Sequence, residues 1–329
     1  MFHSFSFVRR AAALASLTAL AAGCSSSTFA PGNPSTGASS AGSAEVRANR
    51  ALANGHGTHV QAARTGPGWF SPDAKKKKTL IYWGNFDTST ITVFSGKGVN
   101  GKQVGEITTG LSNPERLFVD AKGSVYATNL GNNTITGYKR GQTSPFVTIS
   151  NGVNTPTGLT VDAAGTIYCA NVGNDTITVY PKGQTAPSLT IPYFAEYLAT
   201  DAQDNLYAAG TAVEEFAPGS TSGKDLGLPH YPGALEVDRS GNLIVLYGAT
   251  VEYFPAGQTS PSKEINVTGS PFALSLSGNE KELYVSTEVG SPFDIQSVAY
   301  PNGTAFANKL TTNAGDWPFA VSPDAALGK

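Results

Sequence analysis

Short stretches in which apolar and polar residues alternate recur along the chain, and Gly, Pro, Asn or Asp bound them. Thr134–Tyr138 and Thr250–Phe254 show this alternation, which has the two-residue period of a β-strand. The first of them belongs to a longer repeat, because Gly131–Pro145 recurs 42 residues later as Gly173–Pro187, with 10 of 15 residues identical. A period of this size predicts a repeat architecture in which each unit is one small sheet.

The repeat extends to six units, each led by a short apolar strand. The aligned first positions are Pro114, Pro156, Ala195, Pro232, Pro271 and Pro318. Asp and Gly follow at fixed distances, as in Asp120 and Gly123, which are the residues that a type I turn favours. Second, third and fourth strands come next, for example Val125–Thr128, Thr134–Tyr138 and Phe146–Ile149. Four strands in a unit of about 40 residues predict one blade of a β-propeller.

The two ends of the repeat region complement each other. Phe319–Ser322 is a first strand with few residues after it, whereas Leu80–Phe94 contains a second and a third strand without a first one. Joined, they complete the sixth blade, and this pairing removes exposed sheet edges. We therefore predict an all-β fold over residues 79–329, a six-bladed β-propeller whose ring is closed by N- and C-terminal strands in one blade.

Residues 1–23 have the features of a secretory signal. An arginine pair precedes Ala11–Ala22, an apolar run of 12 residues that is too short to span a membrane comfortably. Leu20–Gly23 followed by Cys24 resembles the lipobox of bacterial lipoproteins, which implies cleavage before Cys24 and lipid on its sulfur. The alternative is an ordinary secreted protein with an unrelated Cys at the cleavage site.

Residues 24–78 begin with a segment rich in Ser, Gly and Ala, so we predict a disordered tether there. The membrane is then an expected partner through lipidated Cys24, and the expected location is the bacterial cell envelope. The residue after the lipidated Cys is Ser25 and not an acidic residue that would act as a retention signal. In this respect the chain resembles lipoproteins that are directed to the outer membrane. The folded part is expected to face the periplasm or the outside of the cell.

Charge and cysteine content narrow the functional classes. A formal net charge of -2 and a pI near 6.1 give no basic surface for nucleic acid, so no nucleic-acid partner is expected. Cys24 and Cys169 are the two cysteines of the chain, and lipid on the first leaves no pair for a disulfide. Cys169 lies in the apolar run Ile167–Ala170, which predicts a small buried hydrophobe rather than a nucleophile.

One pattern carries a family resemblance. P-x-G-L-x-V-D-x-x-G-x-x-Y followed by G-N-x-T-I, clearest at Pro156–Tyr168 and Gly173–Ile177, resembles NHL-type repeats and the six-bladed propellers of the gluconolactonase-like group. Tyr82–Asn85 is similar to the Y-W-T-D blades of receptor propellers, with Gly and Asn in place of Thr and Asp. The resemblance implies an architecture and leaves the activity open, because such folds carry many functions.

The candidate site is the propeller face that carries the loops leading into the first strands and the loops between second and third strands. We call it the channel face, and it is the default place for a ligand. Its candidate ligand-binding residues are Glu115, Arg116, Asn129, Asn171, Glu196, His230, Tyr231, Asp316 and Trp317. Support of the local turn is the other role open to Asn129 and Asn171. Glu236 is unusual, since a carboxylate on an inner strand needs a partner or has a raised pKa.

The absence of a complete catalytic set in the sequence favours a binding or scaffold module for a protein, a peptide or a glycan, without a cofactor. The alternative is a metal-dependent hydrolase, lactonase or lyase for a small periplasmic substrate. Gluconolactonase-like enzymes hold a divalent metal in the channel, and a metal such as Ca would here use Glu115, Glu196 or Asp316. Thr157 replaces the asparagine of the family's P-N-G-L turn, however. A structural spacer in an envelope complex is the third possibility.

Overall fold

The computed structural model describes residues 66–72, 74, 79–96, 101–228, 231–288, 293–311 and 318–323. Contacts divide the chain into Met1–Ala38, none of which is described, and Ser39–Lys329, which contains every described residue. The predicted signal segment, Cys24 and most of the predicted tether therefore lie outside the described residues. Within the described part there is no α-helix, and accordingly no helix of a length and hydrophobicity that could span a bilayer.

The described residues form 25 β-strands. In chain order they are β1 (Trp69–Phe70), β2 (Leu80–Asn85), β3 (Thr90–Ser95), β4 (Gln103–Ile107), β5 (Pro114–Val119), β6 (Val125–Asn129), β7 (Thr134–Tyr138), β8 (Val147–Ile149), β9 (Pro156–Val161), β10 (Ile167–Asn171), β11 (Thr176–Tyr180), β12 (Leu189–Ile191), β13 (Tyr197–Thr200), β14 (Leu206–Ala209), β15 (Val213–Phe216), β16 (Lys224–Asp225), β17 (Ala234–Val237), β18 (Leu243–Tyr247), β19 (Thr250–Phe254), β20 (Lys263–Asn266), β21 (Ser270–Leu276), β22 (Glu282–Glu288), β23 (Phe293–Ala299), β24 (Ala307–Thr311) and β25 (Pro318–Pro323).

These strands make six antiparallel sheets, one for each predicted unit. Blades 1 to 5 consist of β5–β8, β9–β12, β13–β16, β17–β20 and β21–β24, each in sequence order from first to fourth strand. The six first strands β5, β9, β13, β17, β21 and β25 contact one another in a closed cycle and surround the channel. The predicted all-β fold and its blade number are confirmed.

Blade 6 joins the two ends of the chain, as the sequence predicts. The C-terminal strand β25 pairs antiparallel with β2, with Ile81 opposite Pro323 and Tyr82 opposite Ser322. The order of strands in this sheet is β25, β2, β3, β4 and β1. The first strand of the blade therefore comes from one end of the chain and its other strands from the opposite end, which closes the ring.

The strand β1 corrects the predicted extent of the tether. Trp69 and Phe70 pair with Glu106 and Gly105 of β4 and add a fifth strand to the outer edge of blade 6. Ala74 is buried in the core cluster of the same blade. Residues 24–78 were predicted to be disordered throughout, and at these positions that prediction is wrong, because backbone pairing and burial hold the segment against the blade.

The core lies between neighbouring blades, since both faces of each sheet are covered. In blade 2, all five residues of β10 are buried, which explains a strand that reads as a continuous apolar run rather than as an alternation. Cys169 of this strand is fully buried together with Ile135 and Tyr180, and burial raises the pKa of its thiol. The sulfur is thus a core group and not a reactive one, in agreement with the sequence.

Candidate functional site

The structure describes six of the nine candidate residues of the channel face. His230, Asp316 and Trp317 lie outside the described residues. The described candidates are Glu115, Arg116, Asn129, Asn171, Glu196 and Tyr231. Their surroundings differ strongly, and they separate into residues that hold the blades together, residues buried below the face, and residues that reach the channel or solvent.

Asn129 holds its own blade together. It is the last residue of β6 and is completely buried. Its side-chain oxygen accepts a hydrogen bond from the backbone N–H of Ser112 at 3.1 Å, and its NH2 group donates to the hydroxyl of Thr136 at 3.0 Å. Both ends of the amide are therefore used to connect the loop before β5 with the strand β7. Support of the fold, and not contact with a ligand, is the role that this geometry indicates.

Asn171 repeats the arrangement in blade 2, where it accepts from the N–H of Asn154 at 2.9 Å and donates to Thr178 at 3.0 Å. In blade 6 Asn85 donates to Thr92 at 2.9 Å, again seven residues along the chain. The second Thr of the G-N-x-T-I-T motif thus accepts a hydrogen bond from a buried Asn at the end of the second strand. We call this Asn–Thr pair the latch. This latch explains why the motif is repeated, and it leaves these Asn side chains little capacity for a ligand.

Glu115 and Glu196 lie below the channel face rather than on it. Both follow the aligned first position of their units, and their exposed fractions are only 2% and 8%. Glu115 occupies a β-bulge, since Pro114 and Arg116 pair with consecutive residues of β6. Thr157 occupies the same bulge in blade 2. A bulge re-aims a side chain, and here it places the carboxyl group inside the protein instead of at an open mouth.

Arg116 reaches into the channel. Its guanidinium carbon lies 4.4 Å from the ring centroid of Tyr197, which belongs to blade 3, whereas Arg116 belongs to blade 1. A cation–π contact at this distance attracts the guanidinium group to the ring face of Tyr197. The sequence indicated Arg116 as a candidate but missed Tyr197, because nothing in the chain pattern links residues of blades that are not neighbours.

Tyr231 is the exposed aromatic residue among the described candidates, with 45% of its surface accessible. It lies in the segment before β17, and Tyr193 lies in the corresponding segment of blade 3 before β13. Burial raises the pKa of Tyr193, and the charges of Glu214, Asp225 and Tyr231 raise it further. The hydroxyl of Tyr193 donates to the backbone oxygen of Ala212 at 3.1 Å, which fixes this side of the face.

A cavity of about 390 Å³ occupies the channel itself. Its lining begins at Arg116 and Tyr197 and ends at the turns between first and second strands, on the face opposite to the channel face. We call that opposite face the turn face, which carries Ala163, Ala202 and Gly278. Among the candidates predicted from sequence, Arg116 lines this cavity, whereas Glu115, Glu196 and Tyr231 do not.

Glu236 lines the same cavity from β17. Burial raises the pKa of its carboxyl from the ordinary 4.5 to about 8; a hydrogen bond from the backbone of Leu276 and the charge of Arg116 oppose the rise only in part. The sequence predicted this perturbation from the position of a carboxylate on an inner strand. At neutral pH the Glu236 carboxyl group that faces the channel is therefore mostly protonated.

The aspartates around the lower end of the cavity are used by the turns that contain them. One oxygen of Asp162 accepts from the N–H groups of Gly165 and Thr166 at 2.8 Å, and the other accepts from the hydroxyl of Tyr168 at 3.2 Å. Backbone N–H groups two to four residues further on also donate to Asp120, Asp201 and Asp238. Within the described residues no group of three or more His, Cys, Asp or Glu side chains could hold a metal ion.

Comparison with known proteins agrees with the geometry. No protein family and no curated protein matches the chain in sequence. A chain of the nidogen/laminin complex has 17% identity and a TM-score of 0.62, over 75% of this chain and 99% of that one. A functionally unknown protein from Desulfotomaculum acetoxidans DSM 771 has 13% identity and a TM-score of 0.53, over 73% of this chain and 98% of its own. At such identities the likeness shows the fold alone, and that fold is a six-bladed β-propeller.

Proposed function

We propose that this protein is a lipid-anchored, extracytoplasmic binding module that recognises a protein or peptide partner through its channel face. The observation that carries the proposal is the composition of the described part of that face. It presents the exposed ring of Tyr231, while the carboxyl groups of Glu115 and Glu196 are buried. Aromatic residues are enriched and charged residues depleted in the centre of protein interfaces.

The comparison supports the same proposal. The structurally similar chain described above belongs to a complex of two proteins, nidogen and laminin. Propellers of this shape therefore occur in partner recognition, although a likeness of fold gives no partner for this chain. We also assign the chain to the NHL-repeat and gluconolactonase-like group on its P-x-G-L-x-V-D pattern. The departure at Thr157, in place of the group's asparagine, favours the binding role within that group.

The binding proposal is tested by cross-linked capture from native membranes with the full-length protein as bait. The matched variants are Tyr231→Ala and Phe146→Ala, because the two rings have 45% and 47% of their surface exposed but lie on different parts of the propeller. We expect one protein to be captured by wild type and Phe146→Ala and lost with Tyr231→Ala. Equal capture by all three, or a stoichiometric metal that Glu115→Gln or Glu196→Gln removes, contradicts the proposal.

The anchoring proposal rests on the apolar run and on Cys24, and it needs its own experiment. We expect Cys24→Ser to move the protein from the membrane fraction to the soluble extracytoplasmic fraction and to remove a lipid-sized mass increment. Cys169→Ser is the matched control, because that sulfur is buried in the core of blade 2 and is not exposed to a lipid-transferring enzyme. An unchanged distribution of Cys24→Ser contradicts lipid attachment at this residue.

A further inference from the structure

We propose that a second cavity, in the cleft between blades 2 and 3, is a binding site for a small organic cation, an ammonium group on an apolar body. Asp204 holds the ammonium group, and the apolar walls hold the rest of the molecule. The volume of this cavity is about 310 Å³, within the range of small-molecule pockets, roughly 300–1,000 Å³. It shares no lining residue with the channel cavity, and its lining does not include Tyr231 of the channel face.

Apolar side chains of both blades form the walls of this cavity. They are Val179, Leu189 and Ile191 of blade 2 and Leu206 and Phe216 of blade 3. Leu206 and Phe216 are each only 2% exposed, whereas Pro218 and Gly219, in the turn after β15, are exposed. The cavity therefore has an apolar floor and an opening at the surface, which suits a ligand with an apolar body.

Asp204 carries an unused hydrogen-bond acceptor in this cavity. Its Oδ1 atom is buried, and no group among the described residues donates a hydrogen bond to it. The lining contains neither Lys, Arg nor His. Its three side-chain hydroxyl groups each donate to another oxygen: Tyr168 to the carboxylate of Asp162, Ser188 to the backbone of Val179 and Ser220 to the backbone of Ser222. A buried carboxylate oxygen without a donor is costly, so an ammonium group that a ligand brings is strongly favoured there.

The carboxyl group of Asp204 is a departure from the repeat. Blades 1, 2 and 4 have Gly123, Gly165 and Gly241 at the aligned turn position, with φ angles from +78° to +92°. Asp204 adopts the same left-handed conformation, with φ +61°, which a residue with a side chain disfavours. Three other blades make this turn without a carboxyl group, so the turn itself does not require one.

Blade 5 shows how the protein neutralises an acidic residue at this position. Glu280 occupies the aligned place, and its carboxylate lies 3.7 Å from the guanidinium group of Arg239 in blade 4. The residue of blade 2 that aligns with Arg239 is Ala163. The preceding blade, which provides a counter-charge to Glu280, thus provides none from the equivalent position to Asp204.

The turn after the third strand offers no counter-charge either. In blade 2 the aliphatic stem of Lys182 lies over Gly165, since a Cβ atom at this glycine would be 3.2 Å from the Cδ of the lysine. The aligned residue of blade 3 is Pro218, which is uncharged and lines the cavity. The position that an ammonium group holds in blade 2 is thus replaced in blade 3 by a carboxylate beside an apolar cavity, and a cationic ligand supplies the counter-charge.

The test is calorimetric titration of the purified full-length protein at pH 7 with benzylamine, which is protonated at this pH, and with two matched compounds. Benzyl alcohol has the same apolar body without the charge, and methylamine has the charge with almost no apolar body. We expect benzylamine to bind at least tenfold more tightly than either, because it alone meets both the carboxylate and the apolar walls. Binding no tighter than that of either compound, or no binding of benzylamine at millimolar concentration, overturns the proposal.

Variants assign the binding to Asp204. Asp204→Asn and Asp204→Gly should each weaken benzylamine binding at least tenfold, because both remove the charge. The second variant restores the glycine of three other blades and suits the left-handed turn, so it removes the carboxylate without endangering the fold. Pro218→Lys should also weaken binding, since it places beside Asp204 the lysine that blade 2 has at this position. Unaltered binding by Asp204→Gly overturns the assignment.

Two controls separate this site from other effects. Asp225→Asn is the matched control, an exposed aspartate on β16 of the same blade, and it should bind benzylamine as wild type does. Equal weakening by Asp225→Asn and Asp204→Asn contradicts a specific site and indicates attraction by the general charge of the blade. Tyr231→Ala should also leave benzylamine binding unchanged, so failure of this site and failure of the channel-face proposal are distinguishable.

Discussion

Replacing Glu236 with Gln should make the propeller more stable at alkaline pH. The folded protein keeps this carboxyl protonated up to about pH 8, whereas the unfolded chain loses the proton near 4.5. Between these values ionisation favours the unfolded chain, so the contribution of Glu236 to stability is full below pH 4.5 and is lost as the pH rises through 8. A neutral Gln has no such titration.

The size of the effect follows from the pKa shift. A shift from 4.5 to about 8 corresponds to at most about 5 kcal/mol, at ~1.4 kcal/mol per pKa unit. Water that enters the cavity stabilises the ionised carboxylate, so we expect a difference of about 2–3 kcal/mol between pH 5 and pH 9. The hydrogen bond from Leu276 and the charge of Arg116 are already part of the shift.

The measurement is chemical denaturation of wild type and Glu236→Gln at intervals from pH 5 to pH 9. The free energies of unfolding should differ least at pH 5, and the advantage of the variant should grow as the pH rises from 5 to about 8 and then level off. Glu264→Gln, on the outer strand of the same blade, controls for a change of one formal charge at the surface. A difference between variant and wild type that stays constant over the whole range refutes the reasoning, because it shows that Glu236 titrates alike in both states.

Three further predictions concern the fold. Asn171→Ala should cost about 2 kcal/mol in denaturant titration because it removes a buried amide that bonds both the N–H of Asn154 and the hydroxyl of Thr178, while Asn174→Ala, exposed in the same loop, should cost less than about 0.5 kcal/mol. Deleting residues 317–329 removes β25 from the closing blade and should sharply lower the melting temperature measured by circular dichroism; an unchanged melting curve contradicts the closure. Cys169 should resist maleimide in the native protein and react fully in denaturant, as mass spectrometry can show.

The sequence was sufficient to predict the architecture, because the residues that favour turns and strands recur at the same positions of successive blades. The Asp and Gly of the first turn, as in Asp162 and Gly165, define where one strand ends and the next begins. The φ angle of Gly165 is +92°, a conformation that other residues rarely adopt. By contrast β1 has only two residues, which is too short for any periodicity, and its partner β4 gives no sign of a further strand.

The candidate site could be predicted only in part, because side-chain direction depends on features that a linear pattern does not contain. The bulge at Glu115 turns that carboxyl inward, and no residue type in the sequence marks it. The contact between Arg116 and Tyr197 joins blades 1 and 3, so it depends on the closed ring rather than on local sequence. Glu236 was detectable because its aligned equivalents are uncharged, and the raised pKa followed from simple electrostatics.

The short strand β1 has a mechanical consequence. A pulling force transmitted through the residues that precede Gly66 reaches the propeller first at β1, at the rim of blade 6. Two residue pairs connect β1 to β4, and the N–H of Ser71 donates to the backbone oxygen of Val104 beside them, so this edge strand has fewer bonds to break than any inner strand of the blade. The pairing of β2 with β25 lies at the other edge of the same sheet and carries no load until β1 has separated from β4. The strand β1 can thus separate from the sheet before the pairing that closes the ring is broken.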